Sequence, residues 1–211
     1  MYIVCVYFFF FSMILNLWAE RIILIVGDQQ IILPFEQVEE HLTQQVVELY
    51  MEYRPTALYV INWPGSFTNL RVGALIANLM WSLSKWMLQL MTIDKVSLFR
   101  YLYLQGILPI SGYIYFWQRK NFRISHLEND DHSTYSKQNF ADIEQVRPDF
   151  FVDWFVGGDF PFFTERSQEI TIVFEEWRIM ISYQDSRLDC TDIFLPVQKI
   201  DPIYGIEPNI G

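Results

Sequence analysis

Hydrophobic positions along this chain follow two rhythms, short β-type runs and two longer helical stretches. Residues 2–8, 12–18 and 21–26 are rich in Ile, Val, Leu, Tyr and Phe, and they predict three strands of a meander. Ala19-Glu20 and Gly27-Asp28 supply the turns. The second is a hairpin-type signal, because Gly reaches φ > 0 without a steric penalty. Gln29 to Leu33 predict a further short strand. After Pro34 the period changes. Phe35, Val38, Leu42, Val46, Leu49 and Tyr53 recur at spacings of three and four, which marks one apolar face of a helix. Glu36, Glu39 and Glu40 sit in its first turns, where they complement the helix dipole. His41 among them reads as a half-exposed surface residue. Arg54-Pro55 ends the helix, since Pro disfavours helical backbone in the residue before it.

Residues 57–62 predict the next strand, and it leads into Trp63-Pro64-Gly65-Ser66-Phe67-Thr68-Asn69-Leu70-Arg71-Val72-Gly73. Pro64-Gly65 is a turn signal, and Ser66 and Thr68 are both good N-cap residues. A strand, a tight loop and a helix start in that order present backbone N–H groups at a site, and they also form a frequent plain connection. The helix is predicted over Leu70 to Leu90. Arg71, Asn78, Ser82, Lys85 and Gln89 make one narrow polar stripe on it. Nearly everything else is apolar, far beyond the arc of about 100° that a surface helix needs. Such a helix is central to the domain or shared with a partner chain, and Met and Trp enrichment is typical of interfaces. Leu75, Ile76, Leu79, Met80, Leu83 and Met87 are the expected contact residues.

The second half carries weaker periodicity. Ile93 to Tyr103 predict a strand end and a short helix capped by Asp94 or Ser97. Ile107 to Ile110, Tyr113 to Trp117 and Phe122 to Ile124 read as strands around a Ser111-Gly112 turn. Glu128 to Ser133 is polar and acidic, a surface loop running into a weak helix near 140–145. Strand chemistry returns at Phe150 to Val156, ends at Gly157-Gly158-Asp159, and recurs at 170–174 and 177–182. Prolines keep the tail, 201–208, extended. No internal repeat is visible.

Composition narrows the function classes. The 211 residues suit one large domain or two small ones, and 52% are hydrophobic. The formal charge of −10 argues against direct nucleic-acid binding, which draws most of its affinity from neutralising phosphates. Cys5 and Cys190 are far apart and in no metal-type spacing, and His41, His126 and His132 do not cluster with them. They read as thiols of a reducing compartment, with no metal or other cofactor expected. Met1 to Trp18 is nearly all apolar and raises a membrane anchor as an alternative. The segment lacks a basic leader and a cleavage site, and its β-branched and aromatic content is strand chemistry.

Catalytic constellations are missing from the linear sequence. Ser66 lacks the second glycine of a nucleophile elbow, and no Gly-Lys-Ser/Thr phosphate loop occurs. Glu175 and Glu176 are adjacent, so on a strand they would point to opposite faces.

The run Trp63 to Gly73 resembles the G-P-G-S-F-T-G-L-R-[IV]-G signature of the TsaB (YeaZ) family. Pro64, Gly65, Ser66, Phe67, Thr68, Leu70 and Arg71 match it, and Val72 and Gly73 continue the pattern. The opening meander, Glu39-Glu40-His41, Val96-Ser97-Leu98-Phe99, Val156-Gly157-Gly158-Asp159 and Pro202-Ile203-Tyr204 are similar to further family features. The resemblance implies an α/β actin-like fold of two ribonuclease-H-like subdomains, here residues 1–105 and a reduced 106–211. It implies a cytoplasmic, non-catalytic subunit that pairs with a TsaD-like subunit through helices of the first subdomain. That complex forms N6-threonylcarbamoyladenosine at position 37 of ANN-decoding tRNAs. A TsaE-like ATPase in a larger complex and a homodimer are further partners the resemblance suggests. An actin-like phosphotransferase or glycoprotease-like enzyme is the alternative from another class. Trp63 and Asn69 replace two motif glycines. Tyr7-Phe8 is matched to the family's Asp-Thr after the first strand, which argues against nucleotide binding.

Overall fold

Long runs of β-branched and aliphatic residues form strands here because both faces of the first sheet are covered, which suits continuous apolar sequence. The computed structural model describes residues 12–17, 22–26, 29–33, 38–64, 67–118, 121–136, 150–152, 170–175 and 177–202. The expected strand 2–8, the helix near 140–145, the Gly157-Gly158-Asp159 turn and Ile203-Tyr204 lie outside these residues.

The first sheet contains β1 (Ser12–Leu17), β2 (Ile22–Val26), β3 (Gln29–Leu33), β4 (Ala57–Asn62), β5 (Gln89–Asp94) and the late strand β13 (Leu195–Val197). Their order is β13-β5-β4-β1-β2-β3. β1, β2 and β3 form an antiparallel meander, whereas β1, β4 and β5 run parallel. An antiparallel meander beside three parallel strands is the strand order of a ribonuclease-H-like sheet. Residues 12–17, part of the alternative membrane anchor, are thus a central strand of the sheet. Among the described residues no helix is long and apolar enough to cross a membrane.

Helices α1 (Val38–Tyr53) and α2 (Phe67–Leu83) cover one face of that sheet. Met13, Leu15, Leu17, Leu58, Val60, Ile76 and Met80 belong to the core between them. On the other face, Ile14, Ile61 and Ile93 meet α3 (Lys95–Leu104) and residues of the second half. Asp94 caps α3, as its sequence position predicts. Its Oδ1 accepts from the Ser97 backbone N–H at 2.8 Å, and its Oδ2 accepts from the Ser97 hydroxyl at 2.6 Å.

The second half builds two small sheets. One has the order β8-β7-β6-β9, from β6 (Gly112–Gln118), β7 (Asn121–His126), β8 (His132–Ser136) and β9 (Phe150–Val152). The other is a meander of β10 (Ile170–Glu175), β11 (Arg178–Tyr183) and β12 (Ser186–Asp189). β6, β7 and β8 are antiparallel neighbours and β9 runs parallel to β6, which repeats the senses of β1, β2, β3 and β4. A duplication is therefore present in topology where none is visible in sequence.

Four expectations are corrected. The long helix starts at Phe67, so Thr68 lies inside its first turn rather than capping it. It ends at Leu83, not at Leu90. There Trp86 N–H donates to the Trp81 carbonyl and Lys85 N–H to the Ser82 carbonyl, with Lys85 at φ 53 and Trp86 at φ 70. That is a Schellman-type stop with lysine in the left-handed position usually given to glycine. Ser84 locks it by donating to the Trp81 carbonyl and accepting from Leu88 N–H. Residues 107–110 form no strand. Residues 132–136, read partly as loop, form the edge strand β8.

Cys190 is a free, buried thiol, and burial, aided by the charge of Asp189, pushes its pKa up to about 12. It is an inert core residue.

Candidate functional site

The run Trp63 to Gly73 occupies the carboxyl end of β4, the crevice where parallel α/β sheets place their sites. Gly65 and Ser66 lie outside the described residues, while Phe67 to Gly73 form the first two turns of α2. The Trp63–Pro64 peptide is cis. The junction is fastened by the start of α3. Lys95 N–H donates to the Trp63 carbonyl at 2.8 Å, and Lys95 Nζ donates to the Pro64 carbonyl at 2.6 Å. Lys95 is only 1% exposed, so its ammonium group is committed to the interior. Sequence reading missed this lysine. A Lys directly after a capping Asp reads as an ordinary first-turn residue, and nothing local reveals a contact reaching back more than thirty positions.

Four residues of the run have distinct places among the described side chains. Gly73 sits where α2 crosses β1. A Cβ there would overlap both methyl groups of Leu17 and lie 2.8 Å from its Cγ. The motif's last glycine therefore sets how closely helix and sheet approach. Leu70 is buried in the same core, and Arg71 is exposed on the outer face of α2. Trp63, where the family signature has glycine, packs against both core clusters. Its ring meets Tyr115 of β6 edge-on, with centroids 5.0 Å apart. Tyr115 also has Asp94 nearby. Burial first, and the Asp94 charge in addition, raise its pKa above the ordinary phenol value.

The expected partner surface divides into two. Ile76 and Met80 are core residues against the first sheet and are withdrawn from it. The helical period turns them inward while their neighbours face outward. Leu79 is half-buried against the same cluster. Leu75, Leu83 and Met87 are 58%, 38% and 83% exposed, and Trp86 joins them at 63%. Met87 is displayed by the turn after α2 rather than by the helix itself. Trp86 packs edge-on against the half-buried Trp81, with centroids 4.2 Å apart.

The expectation built on Tyr7-Phe8 also changes. The strand beside β4 is Ser12–Leu17, so the residue following the first described strand is Trp18. At the carboxyl end of this strand Asn16 is buried, and its side-chain oxygen lacks a hydrogen-bond donor. Asn62, at the end of β4, donates to the Asp201 carbonyl at 3.3 Å. Among the described residues no group of three or more His, Cys, Asp or Glu side chains is placed to hold a metal ion.

No protein-family model and no curated protein matches the chain. Among solved structures it is similar to YeaZ from Pseudomonas aeruginosa. The two are 12% identical over 60% of this chain and 64% of that one, with a TM-score of 0.41. It is similar also to an uncharacterized protein with similarity to peptidase YeaZ from Pseudomonas aeruginosa, at 12% identity and a TM-score of 0.37. That match covers 60% of this chain and 63% of the other, so the chain spans less than two thirds of either structure.

Proposed function

We propose that the chain is a non-catalytic subunit of the TsaB (YeaZ) type. It supports a TsaD-like subunit in forming N6-threonylcarbamoyladenosine on ANN-decoding tRNAs. The observation that carries this reading is the run Trp63 to Gly73, set at a β4-to-α2 junction with Gly73 packed on β1. The two described carbonyls of the loop accept from Lys95, and Trp63 is spent on Tyr115 and the two cores. The junction thus serves to position α2.

The outer face of α2 supplies a surface for the partner. Leu75 and Leu83 lie along one helical line, continued by Trp86 and Met87 in the following turn. Aromatic residues and methionine are the types enriched at protein interfaces. The net charge of −10 suits a subunit that leaves tRNA contact to others. Cytoplasmic location and a TsaE-like ATPase in a larger assembly belong to the same reading.

Co-expression with the cognate TsaD-like subunit is expected to give one heterodimer peak on gel filtration. Leu75→Asp and Trp86→Ala should each weaken pairing about tenfold or more. Two separate monomers at micromolar concentration would overturn the reading. Unchanged pairing in both variants would remove this face of α2 from the interface.

A further inference from the structure

On the face of the second sheet that carries Tyr115, three polar groups line up across three strands. The register sets Tyr115 of β6 opposite Arg123 of β7, and Ser125 of β7 opposite His132 of β8. Ser125 Oγ is 3.2 Å from Tyr115 Oη and 2.9 Å from His132 Nδ1. Ser125 and Tyr115 are each 1% exposed, whereas His132 faces solvent. A Ser–His contact invites comparison with an activated nucleophile. Ser125 is too deeply buried to reach a substrate carbonyl, so the contact must be read as a chain of hydrogen bonds from solvent to core.

A serine hydroxyl has one proton to give and two lone pairs to accept with. The chain therefore has two self-consistent directions. In the inward one His132 donates through Nδ1–H to Ser125, and Ser125 donates to Tyr115. In the outward one Tyr115 donates to Ser125, and Ser125 donates to Nδ1 of a neutral His132. A protonated imidazole donates from both nitrogens, which leaves only the inward direction. We infer that Tyr115, Ser125 and His132 form a pH-set hydrogen-bond switch, in which protonation of His132 at the sheet edge turns the buried Tyr115 hydroxyl proton away from Ser125.

The charged and titratable groups around His132 come from three elements. β7 contributes Arg123 and His126, and the β7–β8 turn contributes Asp130 and Asp131. Arg100 of α3 pairs with Asp130 at 2.6 Å. Burial first, then Arg123, hold the imidazole below the ordinary histidine value, and the two aspartates oppose them. The outward direction is thus available through neutral pH, and acid removes it. Because the Tyr115 ring touches Trp63, the change ends beside the loop that launches α2.

The test is an NMR titration of the full-length chain, following the His132 imidazole nitrogens and the Tyr115 ring carbons. The Tyr115 signals should shift with the same midpoint as His132. His132→Gln is a surface change that leaves the sheet intact, and it should make Tyr115 unresponsive over that range. Ser125→Ala should leave His132 titrating while Tyr115 falls silent. Tyr115 signals that stay flat through the His132 titration would overturn the switch. A Tyr115 response that persists in His132→Gln would overturn it as well.

Discussion

β3-β2-β1-β4 in the first half and β8-β7-β6-β9 in the second have the same order and the same strand directions. Within this repeated order coverage differs between central and edge strands, and β6, the counterpart of β1, is buried at residues 112–115 as β1 is. β1 is buried at five consecutive positions after Ser12, with α2 on one side and the second half on the other. β8 alternates between exposed and half-buried residues, as an edge strand with one wet face does. Strand order alone therefore does not fix sequence character. What lies on each face decides whether a strand is written in Ile and Leu or in His, Ser and Thr. In the first half the junction after the fourth strand is tied to α3 by Lys95.

The comparison can be broken most severely at that junction. Lys95→Ala should leave the Pro64 carbonyl without its donor and open a cavity, for a loss of about 3 kcal/mol by urea denaturation. A loss under about 1 kcal/mol would mean that the loop holds its shape without the lysine. Gly73→Ala should cost about 2 kcal/mol through overlap with Leu17. Leu17→Ala in the same chain should recover part of that loss, which a double-mutant cycle would register as coupling. In the second sheet Tyr115→Phe keeps the ring against Trp63 and deletes the hydroxyl next to Ser125. A loss of about 1 kcal/mol is expected. Thr134→Ala, on the exposed side of β8, should stay within about 0.5 kcal/mol. If Thr134→Ala proved as damaging as Gly73→Ala, the contrast between the covered central strand β1 and the edge strand β8 would fail.

Much of the first half was legible because its signals are local. Val, Ile and Leu runs mark β1, β2 and β4, a three-and-four spacing marks α1, and Asp94 before Ser97 marks the cap of α3. The end of α2 was hidden for the opposite reason. Trp86, Met87 and Leu88 continue the apolar run, and the stop is made by Lys85 where a glycine would have announced it. β8 was hidden because His132-Ser133-Thr134-Tyr135-Ser136 has the composition of a loop. The Ser125–His132 contact spans two strands and has no signature in linear spacing. Two of the six expected partner residues were misplaced because periodicity gives the angular position of a side chain and not which side the sheet occupies. Ile76 and Met80 lie on the sheet side.

The short strand β13 bears on how the chain is made. Its residues 195–197 pair with β5 across a gap of about a hundred positions, and just beyond them the Ile200 backbone exchanges two hydrogen bonds with the Asn78 side chain. During synthesis at about 5–20 residues per second, β5 is finished several seconds before the strand that closes its edge. In that interval its unpaired N–H and C=O groups are open to pairing with another nascent chain. Ribosomes closely spaced on one message would lengthen the list of wrong partners, and slower growth at lower temperature should raise the soluble yield.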